Sequence, residues 1–446
     1  MSNAAAQSGA FGTRGKAWIG ALSVLVLAGL AAWAYQLSEG LIVTGMDNVF
    51  SWGLYIMLFV FFVGLSAGGL IISSVPKFFH SDRYDSIAAL GVLVSFACIV
   101  VAGLLILPDL GRPSRVVGFF LSPDFRSPMV WDFGIVVLYG LFCAVYFWLL
   151  TRRDLAARGS RLAFGVQDTA AGRQRDRKLS FWAAAIAIPL AVALHSVTGW
   201  IFALQIGRGS WFSPLVAPMF IMKALVSGLA LVLVVAILAD KFTRFELSKE
   251  LVPELGKVLG VFVAVHIVYL VGAERLPHAW AANFDFWAIT SGFLVGDTVS
   301  FWLWTVVGGV VPLALLVVPA LRTRTWAVFT ASVFAILGIL FEGVNLIFTG
   351  YNDLNIGAAP GVTTGTGYSG VGSNIWATVG TYTPTAIELL ISLGLVALGA
   401  LILTLGLRYF PVFPSSALGD GTRTNPTGDT ATADGGTIRP DGGSDE

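Results

Sequence analysis

Long apolar runs of this sequence enclose Asp132, His195, Lys223, His266, Glu342 and Glu388. An ionisable group surrounded by hydrocarbon costs at least a few kcal/mol and by default marks a function. Carboxylates, imidazoles and an amine at such places can pass protons or hold a polar ligand. His195, followed on one helix by Ser196, Thr198 and Gly199, is the leading candidate. A haem needs axial pairs, and His80 and His278 fall in loops on opposite sides, which leaves only His195 with His266. The cysteines, Cys98 and Cys143, lie far apart in apolar runs and cannot build an iron-sulfur cluster. We therefore expect no metal, haem or cluster in this chain.

These groups must be positioned by membrane-spanning helices. Apolar residues make up 56% of the chain and charged ones only 12%, which puts most of it in lipid rather than water. Runs long enough to cross a bilayer cover 18-36, 52-75, 87-107, 129-150, 182-204, 214-239, 255-271, 302-320, 326-348 and 386-406. Lipid offers no partner to an open strand edge and alternating barrel patterning is absent, so the runs are helices. The expected fold is an all-α integral membrane protein: a polytopic bundle of about ten transmembrane helices, arranged as two four-helix bundles plus flanking helices. Four-helix units separated by the basic 151-180 loop fit this pattern. Gly64-x-x-x-Gly68 would let two helices approach closely.

Three segments are expected: a cytoplasmic 1-17, a transmembrane domain 18-415, and a disordered acidic tail 416-446 with too little apolar surface to order itself. That tail would suit a salt-adapted organism. The first run also imitates a secretion signal, ending in Ala32-Trp33-Ala34, although it is long for one. Gly365-Thr-Gly-Tyr-Ser-Gly370 matches a dinucleotide fingerprint in letters only, because no strand precedes it. A net charge of +1 argues against a nucleic-acid partner.

Lysine and arginine alternate between loops. Arg14, Lys16, Lys77, Arg83, the run from Arg152 to Lys178, Lys241, Arg244, Lys249, Lys257, Arg322, Arg324 and Arg408 fall on one side. The opposite loops carry only Arg112, Arg115, Arg126, Arg208 and Arg275, and the long 349-385 loop has none. The positive-inside rule makes the first side cytoplasmic. The protein is expected to be multi-pass in the cell membrane with both termini inside.

With that orientation, all six intramembrane ionisable residues fall in the outer half. A transporter would want polar groups at the midplane and broken helices there. The pattern fits instead a polar pocket opening outward, able to take an amphipathic ligand from lipid and exchange protons with the outer face. A secondary transporter or ion-conducting subunit without a redox partner is the alternative.

Several stretches resemble the NrfD/polysulfide reductase membrane-subunit family, in its longer branch. They are Trp52-Gly-Leu-Tyr55 leading to Phe61-Phe-Val-Gly-Leu-Ser-Ala-Gly68, Leu110-Gly-Arg-Pro113, Ser127-Pro-Met-Val-Trp-Asp132 and His195-Ser196 before Gly199-Trp200. Phe341-Glu342, Tyr382-Thr-Pro-Thr-Ala-Ile-Glu388 and Arg408-Tyr-Phe-Pro411 continue the series in order. Some longer members have a histidine where this chain has Ala67, so no role tied to that histidine carries over. The resemblance implies a subunit without metal of its own that binds menaquinone or ubiquinone as substrate near the outer face. It also implies an iron-sulfur, ferredoxin-like subunit docked there and a molybdopterin catalytic subunit beyond it, in a respiratory oxidoreductase that oxidises or reduces quinol.

On that footing His195 accepts a quinol proton and Asp132 relays it outward. Arg112 and Arg115 hold the quinone carbonyl region or dock an acidic partner face. Trp52, Tyr55, Trp131 and Ser196 are candidate quinone contacts, although the aromatic ones are suited still better to an interfacial belt. Lys223, Glu342 and Glu388 are further proton-relay candidates.

Overall fold

The computed structural model describes residues 12–47, 50–78, 84–208, 211–243, 247–270, 272, 303–351 and 382–412. The acidic tail, His80, His278, Arg83, Arg244, Arg275, nearly all of the long outer loop with its glycine-rich motif, and the first eleven residues lie outside this set. Among the described residues there is no strand. That is the outcome expected where backbone groups find partners only within their own helix.

In chain order the helices are α1 (Thr13–Glu39), α2 (Leu54–Phe78), α3 (Asp85–Asp109), the short α4 (Val117–Leu121), α5 (Pro128–Ala157), α6 (Ala170–Ala203), α7 (Val216–Phe242) and α8 (Leu251–Leu270). A π-helical segment, Leu303–Val310, then runs into α9 (Val311–Val317), and α10 (Pro319–Arg322) follows. Helix α11 (Thr325–Val344) ends in a second π-helical stretch, Asn345–Thr349, and α12 (Ala386–Tyr409) closes the described chain. Among the described residues nine helices are long and apolar enough to cross a membrane, and a shorter apolar helix, Thr305–Val317, accompanies them. The run expected over 302-320 is thus interrupted. Pro319 pushes the residue before it out of the helical region, and Val318 accordingly has an extended backbone. This is a multi-pass membrane protein.

Local sequence explains the helix ends that matter below. Pro128 occupies the first turn of α5, where its missing N–H costs nothing. Thr169 caps α6 by accepting from the Gly172 N–H. At the start of α12, Thr385 and Glu388 form a reciprocal capping box.

Two four-helix units account for most of the packing. In the first, α2 lies on α3, α3 on α5, α5 on α6 and α6 back on α2. In the second, α7 packs on α8, α8 on α9, and α11 closes the ring onto α7. Helices α1 and α12 pair with each other and lean on α3. The 151-180 region does not separate the two units, as its charge had suggested. Helix α5 extends through Ala157 and α6 starts at Ala170, so this region is the turn inside the first unit. Part of its charge is paired within the turn: Arg152 and Arg153 both bind Asp176, and Arg173 binds Asp154 and Asp168. The joint between units is the 204–215 connection together with the α2–α7 crossing.

That crossing depends on glycine. A Cβ on Gly68 would come within 1.9 Å of the Ala224 carbonyl oxygen, and one on Gly228 within 2.3 Å of the Gly68 Cα. By contrast, a Cβ on Gly64 would meet only the Ser227 hydroxyl, at an ordinary 3.6 Å. We expect Gly68→Ala to destabilise the subunit by roughly 1–3 kcal/mol, the usual cost of overpacking, while Gly64→Ala costs less. Thermal unfolding in detergent tests this, and equal effects at the two positions would refute the close-approach account.

Candidate functional site

Helices α2, α6, α7 and α11 meet where the two units join, toward the end of the molecule that carries the 110–127 and 204–215 connections. About 12 Å of helical rise separates His195 from the end of α6 at Ala203. About 10 Å separates Lys223 from the start of α7 at Val216. Both side chains are buried, and both line a cavity of about 20 Å³ closed by Val60, Phe61 and Gly64 of α2 and Gly343 of α11. Such a volume admits a water molecule and is far too small for an aromatic ring.

On the second unit's side, one carboxylate serves two cations or cation precursors. Glu342 Oε1 lies 2.8 Å from Lys223 Nζ, and Glu342 Oε2 lies 3.0 Å from His266 Nε2. All three side chains are at most 8% exposed. Burying any one alone would be prohibitive, and together they nearly cancel. Lys223 also sits 5.3 Å from the centre of the Phe220 ring, so an aromatic face adds to its stabilisation.

On the first unit's side, Asp132 lies one turn into α5 and is buried. Its Oδ1 is 2.5 Å from the Thr198 hydroxyl, which is itself 2.9 Å from the Leu194 carbonyl. A hydroxyl has one proton for two acceptors. The arrangement is fully satisfied when Asp132 carries a proton and donates it to Thr198, which donates onward to Leu194. His195 Nδ1 is 3.3 Å from the Ala191 carbonyl, an oxygen that can only accept. Nε2 is then the basic nitrogen of the neutral ring. Asp132 is thus tied to α6 through Thr198, one turn beyond His195, and its hydrogen bond does not run to the imidazole.

The remaining candidates fall elsewhere. Glu388 is buried at the start of α12, where it accepts from the Tyr382 hydroxyl at 2.5 Å, the Gly45 N–H at 2.8 Å and the Thr385 N–H at 2.9 Å. The Tyr382 oxygen in turn accepts the Leu54 N–H at the head of α2. Burial first, and then the bond to Glu388, raise the Tyr382 phenol above its ordinary range, so it remains a donor. Tyr55 is fully buried and donates to Gln36, which donates to the Pro108 carbonyl, tying α1, α2 and α3 together. Ser196 gives its proton to the Val192 carbonyl of its own helix. Trp131 is exposed and bonds the Phe125 carbonyl, while Arg112 and Arg115 are exposed on the connection between α3 and α4.

The profile of the family described as Polysulphide reductase, NrfD matches residues 42–355. The chain belongs to the NrfD family. It is 67% identical to a Halobacterium salinarum protein described as a putative membrane subunit of dimethyl sulfoxide reductase, over 90% of this chain and 92% of that one. A selenate reductase subunit of Mesobacillus selenatarsenatis is 25% identical over 92% and 98% of the two chains. The Hdr-like menaquinol oxidoreductase integral membrane subunit of Archaeoglobus fulgidus is 26% identical over 89% and 94%.

Sequence reasoning singled out Trp52 of this NrfD chain but not the aromatic group it joins, which packs on Phe220 and Leu346 of the cavity lining. Trp52 stacks on Trp211 with ring centres 5.8 Å apart, and Phe202 meets both edge-on. Tyr351 packs edge-on against Trp211, and the Arg208 guanidinium lies 4.8 Å over the Tyr351 ring and donates to its carbonyl. Trp211 Nε1 donates to the Leu346 carbonyl in the π-helical end of α11, and Leu346 lines the cavity. Aromatic residues near helix ends read equally as an interfacial belt, so no sequence signal shows that these converge. His266 was legible as an intramembrane histidine but not as a partner of Glu342.

A double-mutant cycle tests the Asp132–Thr198 bond. Asp132→Asn and Thr198→Val should each destabilise the protein by about 1–3 kcal/mol, the cost of a buried polar group losing its partner, and their effects should fall short of additive. Additive effects in thermal unfolding would show that the two side chains do not communicate.

Proposed function

We propose that this chain is the quinone-handling membrane subunit of a respiratory oxidoreductase complex, exchanging electrons with an iron-sulfur subunit on the extracytoplasmic side. The observation that carries the reading is the cavity shared by His195 and Lys223 at the junction of the two units. Acid–base side chains gather there, near one end of the bundle, with aromatic rings above them. The relatives named as a putative membrane subunit of dimethyl sulfoxide reductase, a selenate reductase subunit and the integral membrane subunit of a menaquinol oxidoreductase support the class. A molybdopterin catalytic subunit beyond the iron-sulfur one fits the first two names.

Quinol oxidation releases two protons and two electrons, so its site needs a base beside the hydroxyl and an acceptor within tunnelling range. His195 supplies the base at Nε2, and Thr198, one turn further along α6, with its partner Asp132 near the start of α5 supplies the next proton-bearing groups. The cavity is too small for a quinone ring, so the ring displaces lining side chains such as Phe61 and Leu346, or rests at the mouth with one oxygen directed inward. Trp52 and Trp211 then flank its path. We assign Glu388 and Tyr55 to anchoring the helix ends and keep Lys223 and Glu342 at the site. Arg112 and Arg115, exposed on the same end, suit the acidic face of a partner or lipid headgroups.

The orientation follows the positive-inside rule, with the arginine-rich end of α5 and α6 and both termini in the cytoplasm. No acidic or basic side chain occurs over 133–151, 179–194, 224–239, 258–265, 325–341 or 389–407. Those stretches form the opposite half of the spans, which gives protons no acid–base steps across it.

His195→Ala should lower quinol-dependent turnover at least a hundredfold while the subunit still assembles. Membranes from that variant oxidising quinol at near-normal rate would defeat this reading. Thiol labelling of a cysteine placed in the 158–168 turn should succeed only from the cytoplasmic side, and labelling from outside would invert the topology.

A further inference from the structure

We propose that Lys223, Glu342 and His266 form a second proton-accepting unit of this site, joined to His195 through a single water in the cavity between α6 and α7. The inference rests on the quinol reading above and adds His266 to it. Its first support is geometry. Lys223 and His195 project from adjacent helices into one cavity of about 20 Å³, and a water there has polar partners on two sides.

The second support is the proton count within the unit. The 3.0 Å approach of His266 Nε2 to Glu342 Oε2 requires one proton between them. His266 Nδ1 is buried and has no hydrogen-bond partner among the described residues, so the ring keeps one uncommitted nitrogen. Of the other elements packed on α8, the Leu303–Val310 segment and α9 carry no ionisable side chain, and α10 brings Arg322, which lies against Gly256 at the far end of α8 from His266. Lys223 and Glu342 therefore set the charge that His266 meets, with His195 across the cavity as the next titratable group.

The third support is stoichiometry. Quinol gives up two protons, and His195 has one basic nitrogen. Asp132 is engaged with Thr198 and does not line the cavity. In the proposed step the second O–H bond of quinol breaks and its proton passes to the water. In one concerted shift the water gives a proton to Lys223 as Lys223 gives one to Glu342. The amine is cationic before and after, the water is restored, and the Glu342–His266 pair is one proton richer. Both electrons leave to the iron-sulfur subunit.

The test uses the intact complex in membranes, with a reduced short-chain menaquinol as donor, assayed across pH in H2O and D2O. Glu342→Gln should slow turnover at least tenfold, enlarge the solvent isotope effect and flatten the pH profile. A purely structural defect would lower the rate and leave the last two unchanged. Because a lone buried Lys223 endangers assembly, Lys223→Met combined with Glu342→Gln removes both charges together and should show the same kinetics. An assembled double variant that turns over within twofold of the unaltered complex, with its pH profile intact, overturns the proposal. His195→Ala separates the two ideas. If it is inactive while the double variant is normal, only the second unit falls, whereas normal turnover in both removes the quinol site itself.

Discussion

A lysine and a glutamate can remain charged in a greasy interior only by facing one another. The 2.8 Å contact between Lys223 and Glu342 therefore constrains this molecule more than any apolar contact does. It fixes the rotation of α7 against α11, because turning either helix would strand a charge at a cost of several kcal/mol. With those helices set, His266 reaches the other carboxylate oxygen, and Gly68 and Gly228 bring α2 against α7 closely enough to close the cavity. Neutrality is kept by the set, so each member depends on the others' presence.

The aromatic group follows from the same junction. The connection between α6 and α7 must turn within a dozen residues, and it does so by folding Trp211 back onto Trp52 and Phe202. The indole N–H then finds the Leu346 carbonyl, which the π-helical end of α11 presents. Wider helical turns of this kind recur at functional places because they aim a carbonyl sideways. Here the consequence is that one side chain fastens the linker of the first unit to the last turn of the second.

Much of this was legible in the sequence. Composition and run length specify an all-helical membrane protein, and each of the expected runs overlaps a helix. The intramembrane ionisable residues stood out because lipid makes them expensive. Pairing was not legible. Glu342 and Glu388 look alike as acids in apolar runs, yet one is bound by a lysine and a histidine from two other helices, while the other caps its own helix and holds Tyr382. The Thr385-x-x-Glu388 spacing carried that second fact locally, as a capping box, whereas nothing local ties residue 342 to 223 or 266. The arginine-rich 151-180 region misled for a related reason. Charge density resembles a boundary, but Arg152, Arg153 and Arg173 pair with Asp154, Asp168 and Asp176 within one hairpin, and three-dimensional pairing alone reveals it.

That hairpin has a mechanical meaning. Arg152 and Arg153 clasp Asp176 where α5 turns into α6, so the two helices behave like the tines of a fork held at the handle. Asp132 and His195 ride near the free tips. Held at its handle by these ion pairs and near its tips by the bond from Asp132 to Thr198, the hairpin is braced at both ends.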